Sequence, residues 1–154
     1  EMSWQLMQTL SWSASFGLLK TEITEHANPD PDAFNLKGRE AAHAPEYTYA
    51  TEITYAFTDN ISAQIGIEGK DKYFYSDSHN FESEAYNLVN ARIAYHRQNY
   101  EIALYGKNIT DEEYGTRGFA GWDADPRSGA GFDETEFEQL GAPAVFGISA
   151  RVDL

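Results

Sequence analysis

The chain contains no cysteine. That excludes disulfide frameworks, thiolate metal sites and cysteine nucleophiles, and it is compatible with a compartment where stray thiols would be oxidised. Cations are scarce as well: 11 Lys and Arg stand against 25 Asp and Glu, for a formal net charge of −14 and a pI near 4.5. Phosphate backbones need clustered Lys and Arg, so a nucleic-acid partner is excluded. Long apolar runs are missing too. The best candidates, Phe16 to Leu19 and Ala142 to Ile148, are short and broken by Gly or Pro, far below what a membrane helix requires. Any membrane role therefore falls to strands. The chain opens at Glu1 without an initiator Met, a basic n-region or an apolar h-region, and is expected to be part of something longer.

What is present is aromatic. Ten Tyr, nine Phe and three Trp make 14% of the residues at a mean hydropathy of −0.55, a mixture suited to alternating strands at a boundary between water and lipid. Alternation with period two dominates. Tyr47, Tyr49, Thr51, Ile53, Tyr55 and Phe57 share one parity, and Thr48, Ala50, Glu52, Thr54 and Ala56 the other, which predicts a strand with one oily and one polar face. Ile61, Ala63, Ile65, Ile67, Tyr73 and Tyr75 repeat the pattern against Ser62, Gln64, Glu68, Lys70 and Lys72. Asp71 sits on the wrong parity, so it is expected above the hydrocarbon or beside a bulge. Similar runs surround Trp4, Trp12 and Phe16, Val89 to Tyr95, Tyr100 to Leu104 and Phe146 to Leu154. About seven strands are expected.

The connections take turns in size. Leu6 to Gln8, Thr58 to Asn60 and Arg97 to Asn99 are short, whereas Glu25 to Glu46, Ser76 to Glu84 and Tyr114 to Gly141 are long and rich in acids. In an up-and-down meander the two sizes must lie at opposite ends, as in outer-membrane barrels with tight periplasmic turns and longer outer loops. The fold expected is therefore all-β: antiparallel up-and-down strands from a transmembrane β-barrel. Tyr47, Tyr49, Tyr73 and Tyr75 would form an outer aromatic girdle, and Tyr55, Phe57, Tyr95 and Tyr100 an inner one. A soluble antiparallel sandwich or lipocalin-like barrel shares the alternation but turns its apolar face inward.

Several stretches carry a family resemblance: Leu36, Gly38, Ala44 and Pro45 leading into a strand, Tyr73 to Asn80, Tyr86 to Ala91, Tyr105 to Gly118, and Leu140, Gly141 and Pro143 with Gly147 near the end. The cluster Asn108, Ile109, Thr110, Asp111 and Tyr114 is the most specific. Together they make the chain from about Leu36 onward resemble the C-terminal part of the β-barrel of TonB-dependent receptors. The resemblance implies that residues 1–154 are closing strands of a plugged barrel of about 22 strands in the outer membrane, with the plug domain and earlier strands upstream. It implies an energy-coupled importer of a scarce nutrient, a ferric siderophore or similar iron complex. The implied partners are outer-membrane lipid and lipopolysaccharide, TonB through an upstream segment, the plug domain, and the outer-membrane assembly machinery. That machinery reads the terminal strand, here Phe146, Gly147, Ile148, Val152 and Leu154, where Leu154 departs from the usual aromatic ending.

Other constellations are weaker. Asn28, Asp30 and Asp32 imitate the start of a calcium loop, but Ala33 holds the obligatory Gly position and Arg39 the place of the bidentate Glu. His26, His43, His79 and His96 have no metal-ligand spacing. Ser76, Ser78 and His79 are adjacent, yet one tight loop makes such side chains diverge rather than form a hydrolytic relay. No catalytic residue, metal ligand or cofactor site is identified. Charges on the polar parity, among them Glu52, Glu68, Lys72, Arg92, Glu101, Lys107, Arg151 and Asp153, would hydrate a lumen and hold a plug, or line an open porin. For cargo, the last long connection offers Arg117, Phe119, Trp122 and Arg127, aromatics and cations that would suit an iron chelate.

Overall fold

The computed structural model describes residues 1–26, 35–120 and 136–153. Nine strands form among the described residues: β1 (Met2–Met7), β2 (Leu10–Leu18), β3 (Tyr47–Thr58), β4 (Ile61–Lys70), β5 (Tyr86–Arg97), β6 (Tyr100–Lys107), β7 (Gly115–Ala120), β8 (Glu136–Leu140) and β9 (Val145–Val152). Seven of them make one sheet in the order β1-β2-β3-β4-β5-β6-β9, and β7-β8 make a separate hairpin. The seven expected strands are those of the large sheet; the hairpin lies inside what was expected to be a plain connection. Its strands are only six and five residues long, and its alternation is too brief to stand out from a loop rich in Gly and acids.

Every pairing in the sheet is antiparallel, and the registers keep parity from edge to edge except for shifts at the turn ends, between Gln5 and Met7 and between Ala56 and Thr58. Trp12 pairs with Ile53, Ile53 with Ile65, Ile65 with Ala91, Ile93 with Leu104 and Leu104 with Ile148. Ser13 faces Glu52, Gln64 faces Arg92 and Arg92 faces Tyr105. A slip of one residue at any pair would mix the two faces, so the segregation is a strong constraint on register. Its consequence is a single-layer sheet whose apolar face is uncovered: Ile65 is 49% exposed and Ile148 72%. Polar atoms on that face pair within it, as when the Trp12 indole N–H donates to Thr51 Oγ1 at 2.7 Å.

Residues 8–9, 59–60 and 98–99 make the tight turns at one end, and the long connections leave Leu18, Lys70 and Lys107 and return at Tyr47, Tyr86 and Val145 at the other. On the apolar face Tyr47 and Tyr49 lie near the long-connection end, with ring centroids 6.5 Å apart. Tyr55 and Phe57, edge to face at 4.9 Å, and Tyr95 and Tyr100 at 6.1 Å lie at the turn end. Aliphatic residues fill the band between them.

Tyr73 and Tyr75 depart from this scheme. Strand β4 stops at Lys70, and the two tyrosines are 3% and 4% exposed. The Asp71 N–H still reaches Tyr47 O at 3.0 Å, after which the chain leaves the ladder and the parity expected for the pair is lost. They gather beside polar-face residues: the Lys70 ammonium lies 4.2 Å from the Tyr73 ring centroid and 5.4 Å from that of Tyr86. Asp71, the residue out of pattern in the sequence, marks the place where the strand ends.

Candidate functional site

Two features of the molecule offer surfaces for chemistry: the polar face of the sheet, and the cap built by the long connections. Glu52, Gln64, Glu68, Asn90, Arg92, Tyr105 and Lys107 line a concavity of about 520 Å³ on the polar face. Of the charged row expected there, Lys72 lies past the strand end and pairs instead with Glu82 at 2.7 Å. Glu52, Glu68, Arg92, Glu101, Lys107 and Arg151 fall on the polar face as their registers require, and Asp153 lies past the end of β9. Tyr105 can lie across β9 because Gly147 has no Cβ; one built there would come within 2.5 Å of the Tyr105 ring.

The polar face also holds an arrangement that spacing in the sequence did not reveal, because its members sit on three strands. Ser62 Oγ lies 3.1 Å from His96 Nε2, and His96 Nδ1 lies 3.0 Å from Glu101 Oε2. This has the connectivity of a hydrolytic relay. A relay also needs two donors aimed at a developing oxyanion, and here the backbone of β4 is paired on both sides with β3 and β5. Glu101 is moreover shared with Arg92. The trio is a cross-strand polar brace.

The cap begins with residues 71–85, which fold back on themselves through the Phe74–Glu82 bridge. Tyr75 N donates to Phe81 O at 3.1 Å and Ser83 N to Tyr73 O at 2.9 Å. Arg39, from the preceding connection, closes this loop. Its guanidinium donates to the carbonyls of His79 and Ser76, each at 2.8 Å, and to Asp77 and Asn80. It rests 4.4 Å above the Phe74 ring. Leu36, only 2% exposed, anchors the same connection.

The Asn108 to Tyr114 cluster supplies the third part of the cap. Asn108 and Asp111 have φ of 47° and 53°, left-handed values that Asn and Asp tolerate best among non-glycine residues. The buried Asn108 amide donates to Glu112 O at 2.9 Å and Ala142 O at 3.1 Å and accepts from Glu112 N at 2.9 Å. Asp111 accepts from Ala144 N at 2.8 Å. The Tyr114 ring presses on Gly141, where an added Cβ would come within 2.0 Å of it. These contacts bind both ends of the hairpin connection together and set the start of β9.

The hairpin rests on Tyr75, whose hydroxyl donates to the Glu138 carboxylate. Burial first, and then that carboxylate, push the Tyr75 phenol well above its ordinary pKa. Beside it His43, Tyr75, Ser76, Ser78, His79, Arg117, Gly118 and Phe119 line a cavity of about 220 Å³. Two of the four expected cargo-contact residues, Arg117 and Phe119, thus meet at one cavity, with the guanidinium 5.5 Å from the ring centroid. Trp122 and Arg127 lie outside the described residues, as do Asn28, Asp30 and Asp32. Of the terminal strand, Phe146, Ile148 and Val152 point from the apolar face and are exposed, Gly147 belongs to the polar face, and Leu154 lies outside the described residues. Ser76 and Ser78 bond to each other at 2.8 Å. Among the described residues no cluster of three potential metal ligands occurs.

No protein-family model matches the chain. Solved structures do. The chain is similar to the siderophore receptor PiuA from Acinetobacter baumannii, at TM-score 0.73 and 14% identity over 96% of this chain and 20% of that one. It is also similar to the ferric yersiniabactin uptake receptor FyuA from Yersinia pestis, at TM-score 0.75 and 15% identity over 99% of this chain and 22% of that one. The chain therefore spans about a fifth of the length of these receptors. At such identities the likeness is one of fold: an all-β, antiparallel up-and-down sheet matching part of a receptor barrel. The resemblance to TonB-dependent receptors that the sequence carries meets the fold it implies.

Proposed function

We propose that this chain supplies closing strands to the barrel of an energy-coupled receptor in the outer membrane of a Gram-negative bacterium, importing a scarce nutrient, most simply a ferric siderophore or similar iron complex. The observation that carries the reading is the parity held across all seven strands, which leaves one continuous apolar face uncovered. Water does not tolerate a patch of that extent; lipid does. The two edges, β1 and β9, carry unpaired backbone groups that lipid does not tolerate, and further strands of the same barrel would pair them. The polar face then hydrates a lumen and meets a plug through weak, water-rich contacts. Phe146, Gly147, Ile148, Val152 and Leu154 serve as the strand read by the assembly machinery. The protein is a transporter in this reading and needs no catalytic group.

Uptake of labelled ferric siderophores by cells carrying the full-length protein tests it. Uptake that stops when the proton motive force is collapsed supports the receptor. Steady conductance in planar bilayers, with uptake indifferent to energy, supports an unplugged porin. Partition into water without detergent, with melting as a compact monomer, returns the soluble β-domain.

A further inference from the structure

We propose that the cavity between the 76–79 loop and strand β7 is a binding site for a small oxyanion of the carboxylate or phosphate class. Its lining runs against the rest of the chain. In a protein with 25 acidic residues and a net charge of −14, no carboxylate among the described residues lines this cavity, while Arg117, His43, His79, Ser76 and Ser78 do. Two described acids nearby are engaged elsewhere: Glu138 accepts from Tyr75 and Asp77 pairs with Arg39 at 3.0 Å. Glu136 also acts on His79, more weakly than Arg39 does.

The hydrogen bonds fix which atoms can donate. His79 Nδ1 accepts from the Phe81 N–H at 3.3 Å, so in the neutral ring the proton sits on Nε2 and is available as a donor. Ser76 Oγ accepts from the Ser78 N–H at 3.0 Å. The two hydroxyls share a single bond, which leaves one O–H of the pair to give. Arg117 adds a planar fork of N–H groups suited to a carboxylate or phosphate. A cation would meet Arg117 and too few ligands, since among the described residues no three metal-ligating side chains group together. Phe119 closes one wall with an apolar ring.

Two sources supply this chemistry: a free anion of the medium, or the carboxylate arm of an imported iron chelate. The second rests on the transport reading above; the anion site does not. Calorimetric titration of the detergent-purified full-length protein with citrate and with inorganic phosphate tests the site directly. Binding by the wild type, weakened about tenfold or more by Arg117→Gln as expected for loss of a charge-assisted pair and weakened also by His79→Leu, supports it. Arg117 is exposed, so that variant keeps the fold even where His79→Leu disturbs its loop. Failure of the wild type to bind either anion, or Arg117→Gln binding as tightly as wild type, overturns it. Uptake separates the sources. A loss confined to carboxylate-bearing ferric chelates, with neutral hydroxamate chelates unaffected, assigns the site to cargo. Equal uptake of both by Arg117→Gln alongside its loss of citrate binding assigns it to free anions. Lack of uptake of any chelate by the wild type, with citrate bound, leaves the site standing and removes the transport reading.

Discussion

The sheet and the cap are stabilised by different means. The sheet has few buried side chains apart from the small Ala94 and Ala103 on its polar face; its order comes from backbone ladders and from a strict separation of oily and polar parity. The cap holds the buried Leu36, Tyr73, Tyr75, Ser83 and Asn108 and is closed by individually aimed hydrogen bonds. A wall of this kind tolerates many sequences provided that each position keeps its class. A cap of this kind depends on particular atoms. The contrast fits a fold shared with solved structures at 14% and 15% identity.

The largest effect is expected where class is violated in the wall. Ile65 sits at the middle of β4, the central strand, flanked in register by Ile53 and Ala91. In the membrane reading, Ile65→Arg places a guanidinium near the bilayer midplane at a cost of about 2–4 kcal/mol, and the full-length protein should lose most of its heat-resistant, folded band on unheated gels. Ile65→Val should leave that band unchanged. Normal folding of Ile65→Arg would erase the distinction between the two regions, since the apolar face would then have no need of lipid.

An intermediate effect is expected where an atom is removed from the cap. Asn108→Ala strands the Glu112 N–H and frees two carbonyls at a buried position, a cost of about 2 kcal/mol, and forces Ala into a left-handed conformation. The loss should be local. Amide exchange at Glu112 and Ala144 should quicken, while exchange in β3 to β5 stays slow. Global unfolding of this variant would show that cap and wall form one cooperative unit rather than two.

This contrast also explains what could be read from the sequence. The wall was legible because its rule is periodic: each strand of the large sheet, each tight turn and the aliphatic band follow from parity and connection length alone. Tyr73 and Tyr75 escape the same rule: their parity continues that of β4 in the sequence, but the ladder ends at Lys70, where Asp71 breaks the pattern. The cap was only partly legible. Arg117 and Phe119 stood out by residue type, but their neighbours His43, Ser76, Ser78 and His79 come from connections far apart in sequence, and nothing periodic brings them together. Ser62, His96 and Glu101 were hidden similarly, since a contact across three strands depends on register rather than on spacing. The Asn108 motif is distinctive in sequence, yet its reason is a knot of hydrogen bonds to residues 142 and 144, more than thirty positions away.

The smallest effect is expected from protons and belongs to the cap. Burial chiefly, then the Arg39 charge, hold His79 below the ordinary imidazole pKa, with Glu136 opposing weakly. The folded loop therefore favours the neutral ring, and protonation would remove the Nδ1 acceptor of the Phe81 N–H. A group whose folded pKa is lowered contributes stability that is complete above its unfolded pKa, about 6.5, and that is lost as the pH falls through the folded value. Exchange of the Phe81 amide, corrected for its intrinsic rate, should accordingly be pH-independent above neutrality and quicken modestly in mild acid, with no parallel change in β4 or β5. Citrate at the cavity should shift that trend to higher pH, because an anion at Nε2 favours the charged ring and with it the loss of the Nδ1 acceptor. A Phe81 amide indifferent to pH would show that this bond contributes nothing to the cap, leaving Arg39 and the backbone bonds between residues 73 and 83 to close the loop.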